Sequence, residues 1–95
     1  MKKQVIIDGA MMKDKKSTHR HLAKQLGFSN NYKGSIEELE EQLASLRTPM
    51  EIIWLRHEMI FDQMEDYGDE LFQTMVDAAE ENEMLDVFIA QSIFE

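Results

Sequence analysis

Glu37, Glu38, Glu40 and Glu41 crowd the stretch between Ser35 and Leu43. At ~100° per residue on a helix, Glu37, Glu40 and Glu41 fall on one flank, and Glu38 points further round. No Lys or Arg stands four residues on to neutralise them, so the pair Glu37 and Glu41 costs a few tenths of a kcal/mol, roughly, in mutual repulsion. One reading is a solvated face whose acids sit well near the positive end of the helix dipole. The other is a carboxylate cluster that imitates a phosphate group before a set of Arg, Lys and His donors. General acid-base work would need a nucleophile, a phosphate-cradling glycine loop or a recognisable base, and the chain supplies none to complete a site. No enzyme activity is expected. A Ca²⁺ or Mg²⁺ site on these acids stays a third alternative, one that would show as saturable stabilisation by the ion.

The three imidazoles, His19, His21 and His57, have no partner at a spacing that reads as a metal motif, and surface or packing roles are expected for them. Cysteine is absent, which removes disulfides, thiolate metal sites and a thiol nucleophile and fits a reducing compartment. Neither a metal nor another cofactor is expected. Met50, Met59, Met64, Met75, Met84 and Trp54 occupy apolar positions suited to core packing.

Charge is distributed unevenly over the 95 residues. Residues 1–34 hold eight of the ten Lys and Arg against Asp8 and Asp14, while residues 35–95 hold Arg47 and Arg56 against seventeen acids. The net charge of −9 repels phosphate backbones and favours a basic protein partner; nucleic-acid binding is disfavoured. The opening Met1–Ile7 carries an apolar run too short for a signal peptide or a membrane span, so a cytoplasmic, membrane-free protein is expected.

These side chains must be positioned by a small set of elements. Gln4–Ile7 reads as a buried strand closed by Asp8-Gly9. After a basic loop at Lys13–Lys16, Ser17 is expected to cap a helix with His19, Leu22, Ala23 and Leu26 on one face and Gly27 at its end. Phe28–Gly34 reads as a surface loop. Ser35 and Glu38 form a capping box at the start of the acidic helix, whose stripe is Ile36, Leu39, Leu43 and Leu46 and which should stop before Pro49. Met50–Leu55 resembles a second strand, Arg56–Met64 a short helix, Tyr67-Gly68-Asp69 a break, and Leu71, Phe72, Met75, Val76 and Ala79 the stripe of a last long helix. Leu85–Ala90, mostly apolar without helical period, suits a buried final strand. Strands separated by helices imply an α/β fold: a small three-stranded parallel sheet covered by about four helices. Length allows a single domain, taken as residues 1–91, with 92–95 as a frayed tail.

The stretch Asn31-Tyr32-Lys33-Gly34-Ser35-Ile36-Glu37-Glu38-Leu39-Glu40-Glu41-Gln42-Leu43 is similar to the segment of the barstar family of ribonuclease inhibitors in which a Tyr-Gly loop leads into an acidic helix. The Lys-Lys start before the first strand, the Pro49–Trp54 strand and the Gly68 region resemble the same family, so the likeness spans nearly the whole chain. The resemblance implies an inhibitor or immunity protein that plugs a basic ribonuclease with this helix and the loop before it. Glu41 would then be the phosphate mimic, Glu37 its neighbour and Tyr32 part of the loop contact, with Gly34 and Ser35 at the junction. The departures are Glu41 where the family has Asp, Glu40 and Leu46 where it has aromatic residues, and Asn31 where it has the first loop Tyr. A further family acid, on the last helix, aligns near Ala78, and Asp77 and Glu80 beside it are carried over as partner-binding. Missing aromatic anchors leave open an acidic binding module of the same fold with a different basic partner. A monomer is expected in the unbound state.

Overall fold

The structure is a computed structural model and describes residues 2–90. The expected tail at residues 92–95 lies outside the described residues, as do Met1 and Gln91. Strand β1 (Lys3–Asp8) leads through a single 3-10 turn (Gly9–Met11) to α1 (Lys15–Leu26) and α2 (Ile36–Ala44). Strand β2 (Met50–Leu55) is followed by α3 (Met59–Met64), α4 (Asp66–Glu81) and β3 (Leu85–Ala90). The strands form a parallel sheet in the order β1-β2-β3, with Val5 beside Ile52 and Ile52 beside Val87. The fold is thus α/β, a three-stranded parallel sheet with four helices, as its strand and helix periodicity predicts.

Strands that follow one another in sequence across a parallel sheet, joined by right-handed crossovers, carry their connections on the same face. The burial pattern agrees. Val5, Ile7, Met50, Ile52, Trp54 and Leu85 are buried together with Leu22 and Leu26 of α1, Leu39 and Leu43 of α2, and Leu71 and Met75 of α4. On the opposite face Ile6 and Phe88 are each 50 % exposed and lie in register through Ile53. The expected burial of the whole Val5-Ile6-Ile7 run therefore holds for Val5 and Ile7 only, and that of Leu85–Ala90 for Leu85 only, with Phe88 and Ile89 exposed, because one face of the sheet has no helix to cover it and β3 is an edge strand. The ends of β1 and β2 are tied by Arg56, whose guanidinium donates through two nitrogens to the two carboxylate oxygens of Asp8. That contact, before burial or any other charge, holds the Asp8 carboxyl below its ordinary range.

Two expected boundaries shift for identifiable reasons. Helix α1 is capped by Asp14, not Ser17: the Asp14 carboxylate accepts the Ser17 N–H at 2.8 Å, and Ser17 Oγ accepts the Asp14 N–H at 3.1 Å, a reciprocal box. Lys15 and Lys16, read as loop, accordingly open the helix. Gly27 ends it in the left-handed conformation, φ 74°, as expected. The break placed at Tyr67-Gly68-Asp69 lies instead at Glu65, whose φ of 49° separates α3 from α4, and the three residues belong to the first turns of α4. Gly68 is there for contact, not for a turn: a Cβ on it would stand 2.4 Å from the Ile60 carbonyl oxygen of α3.

Substituting Gly68→Ala must force α3 and α4 apart. Overpacking of this kind costs about 1–3 kcal/mol. A urea denaturation midpoint unchanged by the substitution would show that the two helices do not approach this closely in solution.

Candidate functional site

Helix α2 is fixed at both ends and along its inner face. Ser35, extended at φ −127° and ψ 160°, accepts the Glu38 N–H on Oγ at 3.1 Å. The expected return bond from Glu38 to the Ser35 N–H is replaced by one that reaches further back: the Glu38 carboxylate accepts the Lys33 N–H at 3.1 Å and the Ser35 hydroxyl at 3.3 Å. The Lys33 N–H is the main reason that the Glu38 carboxyl titrates below its ordinary range, with the Ser35 hydroxyl and the Gly34 N–H adding to it. Glu38 is thus spent on ordering the loop. At the other end, which lies four residues short of Pro49, the Asn82 side chain donates to the carbonyls of Leu43 at 2.9 Å and Leu46 at 3.3 Å. Helix C-termini leave carbonyls without intrahelical partners, and here an amide beyond the end of α4 supplies the donor. No periodicity argument reaches Asn82, because the contact joins residues distant in sequence.

Leu39 and Leu43 are fully buried, which turns Glu37, Glu40 and Glu41 outward. All three are exposed, and among the described residues none forms an ion pair. Between α2 and α4 lies a hollow of about 310 Å³ lined by Glu40 and Ala44 on one side and Ala78, Glu81 and Asn82 on the other. Its two carboxylates face a floor of small side chains, and no base lines it. Asp77 and Glu80 are exposed on α4 outside this lining, and Asp77 receives the side-chain N–H of Gln73 at 2.9 Å. Glu81 is the α4 acid that lines the hollow with Glu40, and the apolar stripe of α4 gives no local signal for it. Leu46 is partly buried against the core and so does not project from the acidic surface.

The loop before α2 hangs on a buried histidine. His19 of α1 is 4 % exposed, with Nδ1 bonded to the Tyr32 hydroxyl at 2.6 Å and Nε2 to the Tyr67 hydroxyl at 2.5 Å. A neutral imidazole offers one donor and one acceptor, so one phenol donates and the other accepts. Tyr32 also packs its ring, tilted by 49°, against Phe28 at 4.8 Å between centroids and donates its N–H to the Ser29 carbonyl. A Cβ at Gly34 would come within 3.0 Å of the His19 Cβ. Asn31 is exposed at the loop tip. The loop is therefore held in one shape, with the Tyr32 hydroxyl turned inward onto His19.

Burial holds the His19 pKa below its ordinary 6.5, the negative charge of Glu38 opposing that shift. The folded protein binds the proton less tightly than the unfolded chain, so the His19 contribution to stability is complete above pH 6.5 and declines as pH falls below it. His21 shifts the same way through burial, against the pull of Asp8, and adds to the same window. Urea midpoints should decrease from pH 7.5 to pH 5 (roughly the range in which histidine titrates). An NMR titration that places the His19 ring at or above 6.5 would contradict the assignment.

Among the described residues no helix is long and apolar enough to cross a membrane, and no three His, Cys, Asp or Glu are grouped to hold a metal ion. No curated protein matches the chain. The family model described as Barstar (barnase inhibitor) matches residues 2–91. That match spans nearly the whole of the 95 residues, and the chain belongs to the barstar family.

Proposed function

We propose that the protein is a ribonuclease inhibitor or immunity protein that blocks the active site of a basic ribonuclease with α2 and the loop before it. The observation that carries this reading is the outward, unpaired state of Glu37, Glu40 and Glu41 on a helix held at both ends. A nuclease gathers Arg, Lys and His around a phosphate, and those donors pair equally well with carboxylates. Glu41 takes the place of substrate phosphate, Glu37 and Glu40 flank it, and Asn31, Gly34 and Ser35 form the loop side of the contact. Tyr32 acts by holding that loop on His19. Asp77 and Glu80 extend the negative field along α4 and steer the approach. Family membership supports an inhibitor over an enzyme. The protein works as one domain over residues 1–91, is monomeric until it binds, needs no cofactor, and acts in the cytoplasm on a nuclease made by its own cell or a competitor, without contacting nucleic acid or membrane.

A second reading keeps the surface and changes the partner. Among the described residues the exposed large apolar side chains are Ile6, Met11, Phe88 and Ile89, and none lies on the loop or α2. An interface without aromatic anchors relies on charge, and a basic protein other than a nuclease satisfies charge as well.

Calorimetric titration against a panel of small microbial ribonucleases, with RNA cleavage measured alongside, separates the two. Glu41→Gln should weaken binding by about tenfold or more, equivalent to ~1.4 kcal/mol. Association should slow as salt is raised, because steering between exposed charges is screened over ~8–10 Å at physiological ionic strength. Affinity indifferent to Glu41→Gln would remove the assigned site, and binding to a basic protein with no effect on any nuclease would favour the second reading.

A further inference from the structure

The chain carries a second charged feature of opposite sign. Lys15, Lys16 and Arg20 of α1 and Lys33 of the loop line a hollow of about 440 Å³, with His19 and Tyr32 in its wall. None of the residues lining it is acidic. Among the described residues none of the four cations forms an ion pair, although the protein as a whole carries −9. Two acids border the hollow without pairing with its cations: the Asp14 carboxylate accepts the Ser17 N–H at 2.8 Å and Glu38 the Lys33 N–H at 3.1 Å, and their charges offset part of those of Lys16, Arg20 and Lys33 from outside the lining.

This placement runs against two local preferences. Lys15 and Lys16 stand in the first turn of α1, where the helix dipole disfavours cations, and no acid shares that turn. Four like charges around one concavity also repel one another. Lys15 finds partial relief over the face of Tyr67, its ammonium 4.7 Å from the ring centroid, while the remaining positive field points into the hollow. An anion would resolve both conflicts. The hollow falls within the range of ~300–1,000 Å³ usual for small ligands. Three ammonium groups act as point charges, and one guanidinium can meet two oxygens at once, a set suited to a doubly or triply charged phosphate.

We propose that the hollow between α1 and the loop binds a small phosphate-bearing anion. The site shares no lining residue with the Glu40–Glu81 hollow but borders the proposed ribonuclease contact at Tyr32 and Gly34, so its test uses the free protein without any nuclease and its outcome is read separately from that of the ribonuclease reading. The protein is titrated calorimetrically with inorganic pyrophosphate and, separately, with adenosine 5′-monophosphate. Saturable one-to-one binding is expected for at least one of them: pyrophosphate alone marks an inorganic site, the nucleotide alone a nucleotide site. Lys16→Gln and Lys33→Gln should each weaken it by about tenfold, whereas Lys24→Gln, which lines a neighbouring hollow on the other side of Arg20, should leave it unchanged. Circular dichroism confirms that each variant is folded. Absence of saturable heat with both anions, or equal weakening by Lys24→Gln, would reduce the hollow to a diffuse positive field and overturn the proposal.

Discussion

The order of the strands constrains everything else in this molecule. With β1, β2 and β3 adjacent, parallel and consecutive, both crossovers return over one face, and all apolar helix stripes must meet there. Helix α2 is consequently pressed against α4 through Leu39 and Leu43, and its opposite side has no neighbour to neutralise it. A cluster of glutamates can persist on such a surface because water solvates each carboxylate. The same cluster facing a second helix layer would have to be paired or protonated. The acidic surface is thus permitted by the topology of the sheet.

The loop and the acidic helix are ordered by different means. Helix α2 is secured by backbone chemistry, with Ser35 and Glu38 at its start and Asn82 at its end. The loop is secured by one buried imidazole that spans two phenols from separate parts of the chain. Hydrogen bonds in such a desolvated setting are costly to leave unmade, which makes His19 a strict spacer between α1, the loop and α4. Rigidity won in this way lowers the ordering entropy that association would otherwise require. Immediately beside the joint, the cationic side chains of α1 give the surface a sharp change of sign over a short distance.

Local signals made much of this legible. The β-branched run at Val5–Ile7, the apolar period of α2 and α4 and the glycine after Leu26 identified three strands and the main helices, and the spacing of Glu37, Glu40 and Glu41 identified their common flank. What escaped depends on contacts between distant residues. Ser17 and Asp14 are both good caps, and only the geometry of the turn decides between them. Gly68 reads as a break in one dimension, but in three it is the point at which α3 and α4 touch. Glu38 reads as half of a capping box, yet its carboxylate reaches the Lys33 N–H, since the loop folds back over the helix start. The roles of His19 and Asn82 belong to the same class: each has an unremarkable sequence neighbourhood and a specific partner far along the chain.

Asn82 illustrates how little chemistry separates a working joint from a broken one. Its amide nitrogen faces two carbonyl oxygens at the end of α2, and its oxygen accepts the Met84 N–H at 2.9 Å, so both halves of the group are in use. Aspartate has nearly the same outline but presents an anionic oxygen where the N–H₂ stood. An Asn82→Asp exchange would therefore set a carboxylate against two peptide oxygens with almost no change in the outline of the residue. The exchange of one N–H₂ for an oxygen is thus enough to loosen the acidic helix from its support while leaving the glutamates themselves untouched.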